Sequence, residues 1–178
     1  FIYEVNTLHS LGQGLTGYTS MTSANTTGNI NASLGNTAAT GLPWAITNGT
    51  FNVKVYDSST GQVQTHTVAV QVGIDGTDTT LTDLAADLNA IDNISASIDE
   101  AGRLKIQADS NFTFSFSAPS SGSATNALAA LGINTYFTGT TGADMAVNQV
   151  MISDPNKIGA SATGEPANGA VAGAVAML

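Results

Sequence analysis

The chain has 178 residues, of which Ala, Thr, Gly, Ser and Asn make up 100, while Leu, Ile, Val and Phe supply 40, enough for only a thin core. Four basic residues against thirteen acidic ones give a formal charge of −9, and Lys54, Arg103, Lys105 and Lys157 are too few and scattered to neutralise a phosphate backbone, which excludes nucleic acid. The absence of cysteine excludes a disulfide scaffold, a thiolate zinc site and a Cys nucleophile, and no apolar run approaches a membrane-spanning length.

Residues 1–11 read as the last turns of a helix. Phe1, Val5 and Leu8 follow the i, i+4, i+7 spacing, and Gly12 stands where a C′ glycine would end it. At the far end Val171, Val175 and Leu178 repeat that spacing in an Ala-rich stretch. Both stretches are too short to be stable alone. The six residues are therefore expected to pair the two helices antiparallel, with a domain looped out between them. The first residue is Phe, inside a helix and with no secretory leader before it, so the chain reads as a segment of a longer protein.

Residues 12–48 are Gly, Thr, Ser and Asn with isolated large residues (Tyr18, Met21, Ile30, Leu34, Trp44), which predicts an extended, partly stranded arm of weak local order. The middle is patterned more clearly. Phe51, Val53 and Val55 alternate with polar residues, Asp57 to Gly61 carries turn chemistry, and Val68, Val70 and Val72 alternate back as a hairpin. Thr80 and Asp83 can cap a helix whose stripe is Leu81, Leu84, Ala85, Leu88 and Ile91. Ile94, Ala96 and Ile98, then Leu104, Ile106 and Ala108, then Phe112, Phe114 and Phe116 give three further strands. A short helix over residues 126–131 ends at Gly132. The class is α+β: a small antiparallel sheet covered by one helix, in the order β-β-α-β-β-β. Residues 50–131 are expected to form an outward-projecting inserted domain. Residues 1–49 with 132–178 form the helical stubs and extended arms beneath it.

No catalytic constellation emerges. His9 and His66 lack an Asp or Glu at triad spacing, so structural roles are expected for both. Asp75-Gly76-Thr77-Asp78 has the Gly and Asp of a calcium turn but not the ligand series or bidentate Glu. Asp83 and Asp87 lie one turn apart on a face expected to be solvated. The Asn-x-Ser/Thr sequons at Asn25, Asn31, Asn48, Asn93 and Asn111 follow from composition. Gly12-Gln13-Gly14 joins no strand to a helix, so it is not a phosphate loop. No cofactor and no metal site are expected.

The two ends carry a resemblance. Glu4-Val5-Asn6-Thr7-Leu8-His9-Ser10-Leu11-Gly12-Gln13-Gly14-Leu15-Thr16-Gly17 resembles the end of the long N-terminal helix of the flagellar hook-associated protein 1 family, the first hook–filament junction proteins. Leu131-Gly132-Ile133-Asn134-Thr135-Tyr136-Phe137-Thr138-Gly139 is similar to a second segment of that family. It is followed in matching order by Ala143-Asp144-Met145-Ala146-Val147-Asn148 and Asp154-Pro155-Asn156-Lys157-Ile158-Gly159-Ala160-Ser161. Asn168 opens the stretch where the C-terminal helix would begin. These motifs cover about a third of the chain. Leu11 stands where many relatives carry Gln, and Tyr136 where many carry Phe.

The resemblance implies a structural, non-enzymatic subunit of the bacterial flagellum. Copies of itself would form a ring, contacting hook protein on one side and the second junction protein on the other. It would reach the cell exterior through the flagellar export channel without a cleaved signal peptide. The chain alone is expected to be monomeric, because the family's long polymerising helices are absent and the net charge opposes association. Two other readings compete: another flagellar axial protein (hook protein or the second junction protein), and a surface adhesin or carbohydrate-binding domain. Against the adhesin, Phe112, Phe114 and Phe116 share an inward face and Trp44 stands alone.

Overall fold

The computed structural model describes residues 1–73, 77–165 and 167–178, so Asp75 and Gly76 of the weighed calcium turn lie outside the described residues. In chain order the elements are α1 (Ile2–Ser10), β1 (Ser20–Thr22), α2 (Thr37–Thr40), β2 (Gly49–Asp57), β3 (Val63–Val70), α3 (Leu81–Asn89), β4 (Ile94–Ile98), β5 (Leu104–Ala108) and β6 (Phe112–Ser117). Then follow α4 (Ala127–Leu131), β7 (Phe137–Thr138), β8 (Ala146–Val147), α5 (Gln149–Ser153) and α6 (Ala170–Val175). The fold is α+β. Among the described residues no helix is long and apolar enough to cross a membrane.

The strands of the middle region divide into two antiparallel three-stranded sheets, ordered β3-β2-β6 and β1-β5-β4. The hairpin β2–β3 turns where the sequence places turn chemistry. Asp57 Oδ1 accepts from the backbone N–H and the hydroxyl of Ser59, and Oδ2 accepts from the Thr60 hydroxyl. The Ser59 hydroxyl above all, with Thr60, pulls the Asp57 carboxyl down to about 2. Helix α3 opens on a full capping box: Thr80 Oγ1 accepts from Asp83 N–H, and Asp83 returns a bond to Thr80 N–H. Its stripe of Leu81, Leu84, Ala85, Leu88 and Ile91 is buried in one cluster with Phe51, Val53, Val55, Leu104, Ile106, Phe114 and Phe116.

Residues 12–48 are not the weakly ordered arm that composition suggests. Tyr18 exchanges backbone bonds with Phe114 of β6, and β1 then pairs with β5, so the arm stitches the two sheets together. Farther along, Leu34, Leu42 and Ile46 are buried in the same core as Phe51 and Leu84. Isolated large residues in a Thr/Gly/Asn background have no periodicity, yet each fills a hole left by another element. The core therefore runs across position 49/50, and its members extend from Leu11 to Ile133.

Helix α1 buries Ile2, Val5, Asn6 and His9, a stripe rotated from Phe1, Val5 and Leu8. Phe1 is 74% exposed and Leu8 only half-buried. The reason is polar: the surroundings of α1 offer partners for Asn6 and His9, and those partners set the helix rotation. Gly12 also has a different task from the one predicted. It does not adopt a left-handed conformation; a Cβ there would sit 2.3 Å from the carbonyl oxygen of Gly159. Close backbone approach, not helix termination, requires the glycine.

Candidate functional site

The densest set of long-range polar contacts lies where α1 ends. His9 is 4% exposed. Its Nδ1 is 2.8 Å from the carbonyl oxygen of Asn134, and its Nε2 is 2.8 Å from the amide nitrogen of Gly159. A backbone N–H can only donate, so Nε2 is the acceptor and Nδ1 carries the proton. The ring is a neutral strut between two distant backbone segments. Burial lowers its pKa below 6.5, partly offset by the bond to Asn134.

Asn134 closes the other half of this joint. It holds φ of 51° at 3% exposure, a left-handed conformation that Asn tolerates better than most residues. Its Nδ2 lies 3.4, 3.1 and 3.0 Å from the carbonyl oxygens of His9, Ser10 and Gly12, and its Oδ1 accepts from the Tyr18 hydroxyl at 2.7 Å. The last carbonyls of a helix have no partner inside it, and Asn134 supplies one from 122 residues or more along the chain. One turn earlier, Asn6 Nδ2 donates to the carbonyl of Phe137, and Asn6 Oδ1 accepts from the Phe137 N–H, each at 2.9 Å.

The 154–161 segment completes the joint. Gln13 and Ser161 exchange backbone bonds, and Leu15 N–H donates to Asn156. Lys157 Nζ donates to the Gly17 carbonyl, sits 4.8 Å from the Tyr18 ring centroid and 3.9 Å from Asp154 Oδ2. Burial raises the pKa of Tyr18, with the Asp154 charge adding to it, so the phenol stays a neutral donor to Asn134. Burial likewise lowers that of Lys157, against the opposing pull of Asp154. Gly14 allows close approach here: a Cβ would meet the Asn156 carbonyl at 2.2 Å.

Beside the joint, α1 and α6 are in contact across an apolar cavity of 290 Å³. Of the six residues expected to pair the helices, Phe1, Val5, Val171 and Val175 line it, together with Tyr136 and Ile158. Leu8 and Leu178 do not. Leu178 is 57% exposed, beyond the last turn of α6. The N–H groups of Val171 and Ala172 donate to Ala160, one residue from the strut at Gly159, so α6 starts beside the end of α1.

Elsewhere the chemistry stays sparse. His66 Nε2 is buried and bonds no other group among the described residues. Asp83 is committed to the capping box, and both it and Asp87 face solvent. Trp44 packs on Tyr3, with ring centroids 5.3 Å apart. Among the described residues no three metal-capable side chains gather. What the residue pattern did not reveal is the work of the asparagines. Asn126 joins Tyr3, Ala45 and Thr47, and Asn25 donates to Ala130. In a chain this rich in Asn the type alone cannot mark such positions. No model of a known family matches the chain, and no curated protein is significantly similar to it.

Proposed function

We propose that this chain belongs to a structural subunit of the bacterial flagellum, of the hook-associated protein 1 type, that joins hook to filament and performs no catalysis. One observation carries the reading. Three of the four segments that resemble that family, residues 4–17, 131–139 and 154–161, converge on the His9–Asn134–Gly159 joint, and the fourth, 143–148, packs beside it, where Asn148 donates to the Thr135 carbonyl. Residues that resemble a family at distant points of a chain are expected to meet if they form one working part.

In this reading the joint is a rigid corner. Helix α1 and α6 belong to the inner tube wall, and the two sheets project outward. Directional hydrogen bonds from His9, Asn134 and Asn6 fix the angle between them, where an apolar contact alone would let the parts slide. Copies of the subunit form a ring between hook protein and the second junction protein, outside the cell, after passage through the export channel. The absence of cysteine suits that destination.

The test is deletion of the corresponding gene in the motile parent strain. Cells are expected to keep hooks, lose filaments and release filament subunits into the medium, with recovery on complementation. Normal filaments after deletion would contradict the proposal.

A further inference from the structure

Of the fifteen asparagines only Asn48 and Asn168 are followed by glycine. The pairing matters chemically, because a glycine has no Cβ to hinder its amide nitrogen from closing on the preceding side chain. The fold holds the two pairs in opposite ways.

Asn48-Gly49 is locked. Asp57 N–H donates to Gln62, and the alternation of an antiparallel ladder carries that pattern down to Gly49 opposite Val70. The Gly49 N–H therefore points into the ladder. Residues 123–125 hem it in as well, since a Cβ on Gly49 would lie 2.6 Å from the Ser123 carbonyl oxygen. Asn48 Oδ1 is itself held by the Val72 N–H at 2.6 Å.

Asn168-Gly169 is open at the glycine and gripped at the asparagine. Gly169 is exposed, its N–H meets no acceptor among the described residues, and a Cβ on it would meet nothing within 4 Å. Asn168 is half-buried. Its Oδ1 accepts from the backbone N–H groups of Ala162 and Ala170, and its Nδ2 donates to the Thr163 hydroxyl, each at 3.2 Å. Two N–H groups on one carbonyl oxygen polarise that carbonyl and stabilise negative charge developing there. The attacking nitrogen is the next one along the chain, so no encounter has to be arranged.

We infer that Asn168-Gly169 is a self-modification site, at which the chain deamidates itself. Gly169 N gives its proton to solvent and bonds to Asn168 Cγ, while the carbonyl electron pair moves onto Oδ1 between its two N–H donors. The intermediate collapses, the Cγ–Nδ2 bond breaks, and ammonia leaves with a proton taken from solvent on the Thr163 side. Water then opens the five-membered imide at either carbonyl, giving aspartate or isoaspartate. Both products add one negative charge to the −9 of the chain. Isoaspartate also inserts a methylene into the main chain, just before the N–H groups of Val171 and Ala172 that fasten α6 to Ala160. The lengthened chain loosens that fastening. None of this depends on the flagellar proposal.

The experiment holds the folded chain at physiological temperature and neutral pH for weeks, then maps its fragments by mass spectrometry. Asn168 is expected to gain about 1 Da at least about tenfold faster than Asn48, which must first leave its ladder. Amide exchange at Val171 and Ala172 should quicken as the isoaspartyl fraction grows. In urea, where the ladder is gone, the two asparagines should react at similar rates. Gly169→Ala fits the open space, keeps the fold and should slow the reaction at Asn168 severalfold. Equal rates at Asn48 and Asn168 in the folded chain would overturn the inference. So would an Asn168 that reacts in urea but stays intact in the folded chain, or one that Gly169→Ala does not slow. Unchanged exchange at Val171 and Ala172 would overturn the effect on α6.

Discussion

The imidazole of His9 and the backbone carbonyl of Asn134 meet at 2.8 Å across 125 residues of chain, and Asn134 in turn caps the helix that carries His9. Each residue fixes the other's geometry. The end of α1 is held from outside the helix, by groups that reach it only when the chain has closed on itself.

The neutral state of His9 makes stability depend on pH. Its folded pKa lies below its ordinary 6.5, so the unfolded chain takes up the proton first. Stability from this group is therefore complete above about pH 6.5 and falls as pH drops toward the folded value. Urea midpoints measured from about pH 8 to about pH 5.5 should decline more steeply in the wild type than in His9→Gln. Parallel profiles would remove His9 as the titrating group.

Substitutions at Asn134 should rank by what they do to three carbonyls. Asn134→Gly keeps the left-handed conformation without strain and loses the side-chain bonds, at a cost of about 2–3 kcal/mol. Asn134→Ala adds roughly 1 kcal/mol of backbone strain. Asn134→Asp should be the worst, because it turns an acceptor toward the carbonyls of His9, Ser10 and Gly12. Denaturant melts give the order directly.

Close approach of Gly12 to Gly159 predicts a sharp contrast between glycines. Gly12→Ala places a methyl 2.3 Å from the Gly159 carbonyl oxygen, whereas a Cβ at Gly142 meets nothing within 4 Å. The first should cost at least about 2 kcal/mol. The second should stay within about 0.5 kcal/mol of wild type in the same thermal melt.

Leu88 and Asp83 separate the core of the sheet region from its surface. Leu88 is 1% exposed in the shared cluster, so Leu88→Ala should cost about 2–4 kcal/mol. Asp83→Ala removes the two bonds that its exposed carboxylate accepts from the N–H and hydroxyl of Thr80, together worth about 1 kcal/mol. Equal destabilisation by the two would contradict the packing described for α3.

Much of this architecture was legible from periodicity. The alternation in β2, β3, β5 and β6 and the stripe on α3 each announce a buried face, and Thr80 with Asp83 marks the helix start. Periodicity fails where burial is carried by polar side chains. The stripe Phe1, Val5 and Leu8 counts only apolar residues, while α1 turns inward the face bearing Asn6 and His9. It fails also for the arm, because Tyr18, Leu34 and Ile46 are single anchors with no repeat between them. The third strand of the β1-β5-β4 sheet is β1, a three-residue strand from that arm. The joint itself was visible only as separated fragments of resemblance, since no local rule says that Asn134 will meet Gly12.

Localisation tests the functional proposal most directly. Antibody raised against residues 50–131 should label intact flagella of the parent cells at a single band between hook and filament, seen by immunogold electron microscopy. Label spread along the filament or over the cell surface, or none on the flagellum, would contradict it.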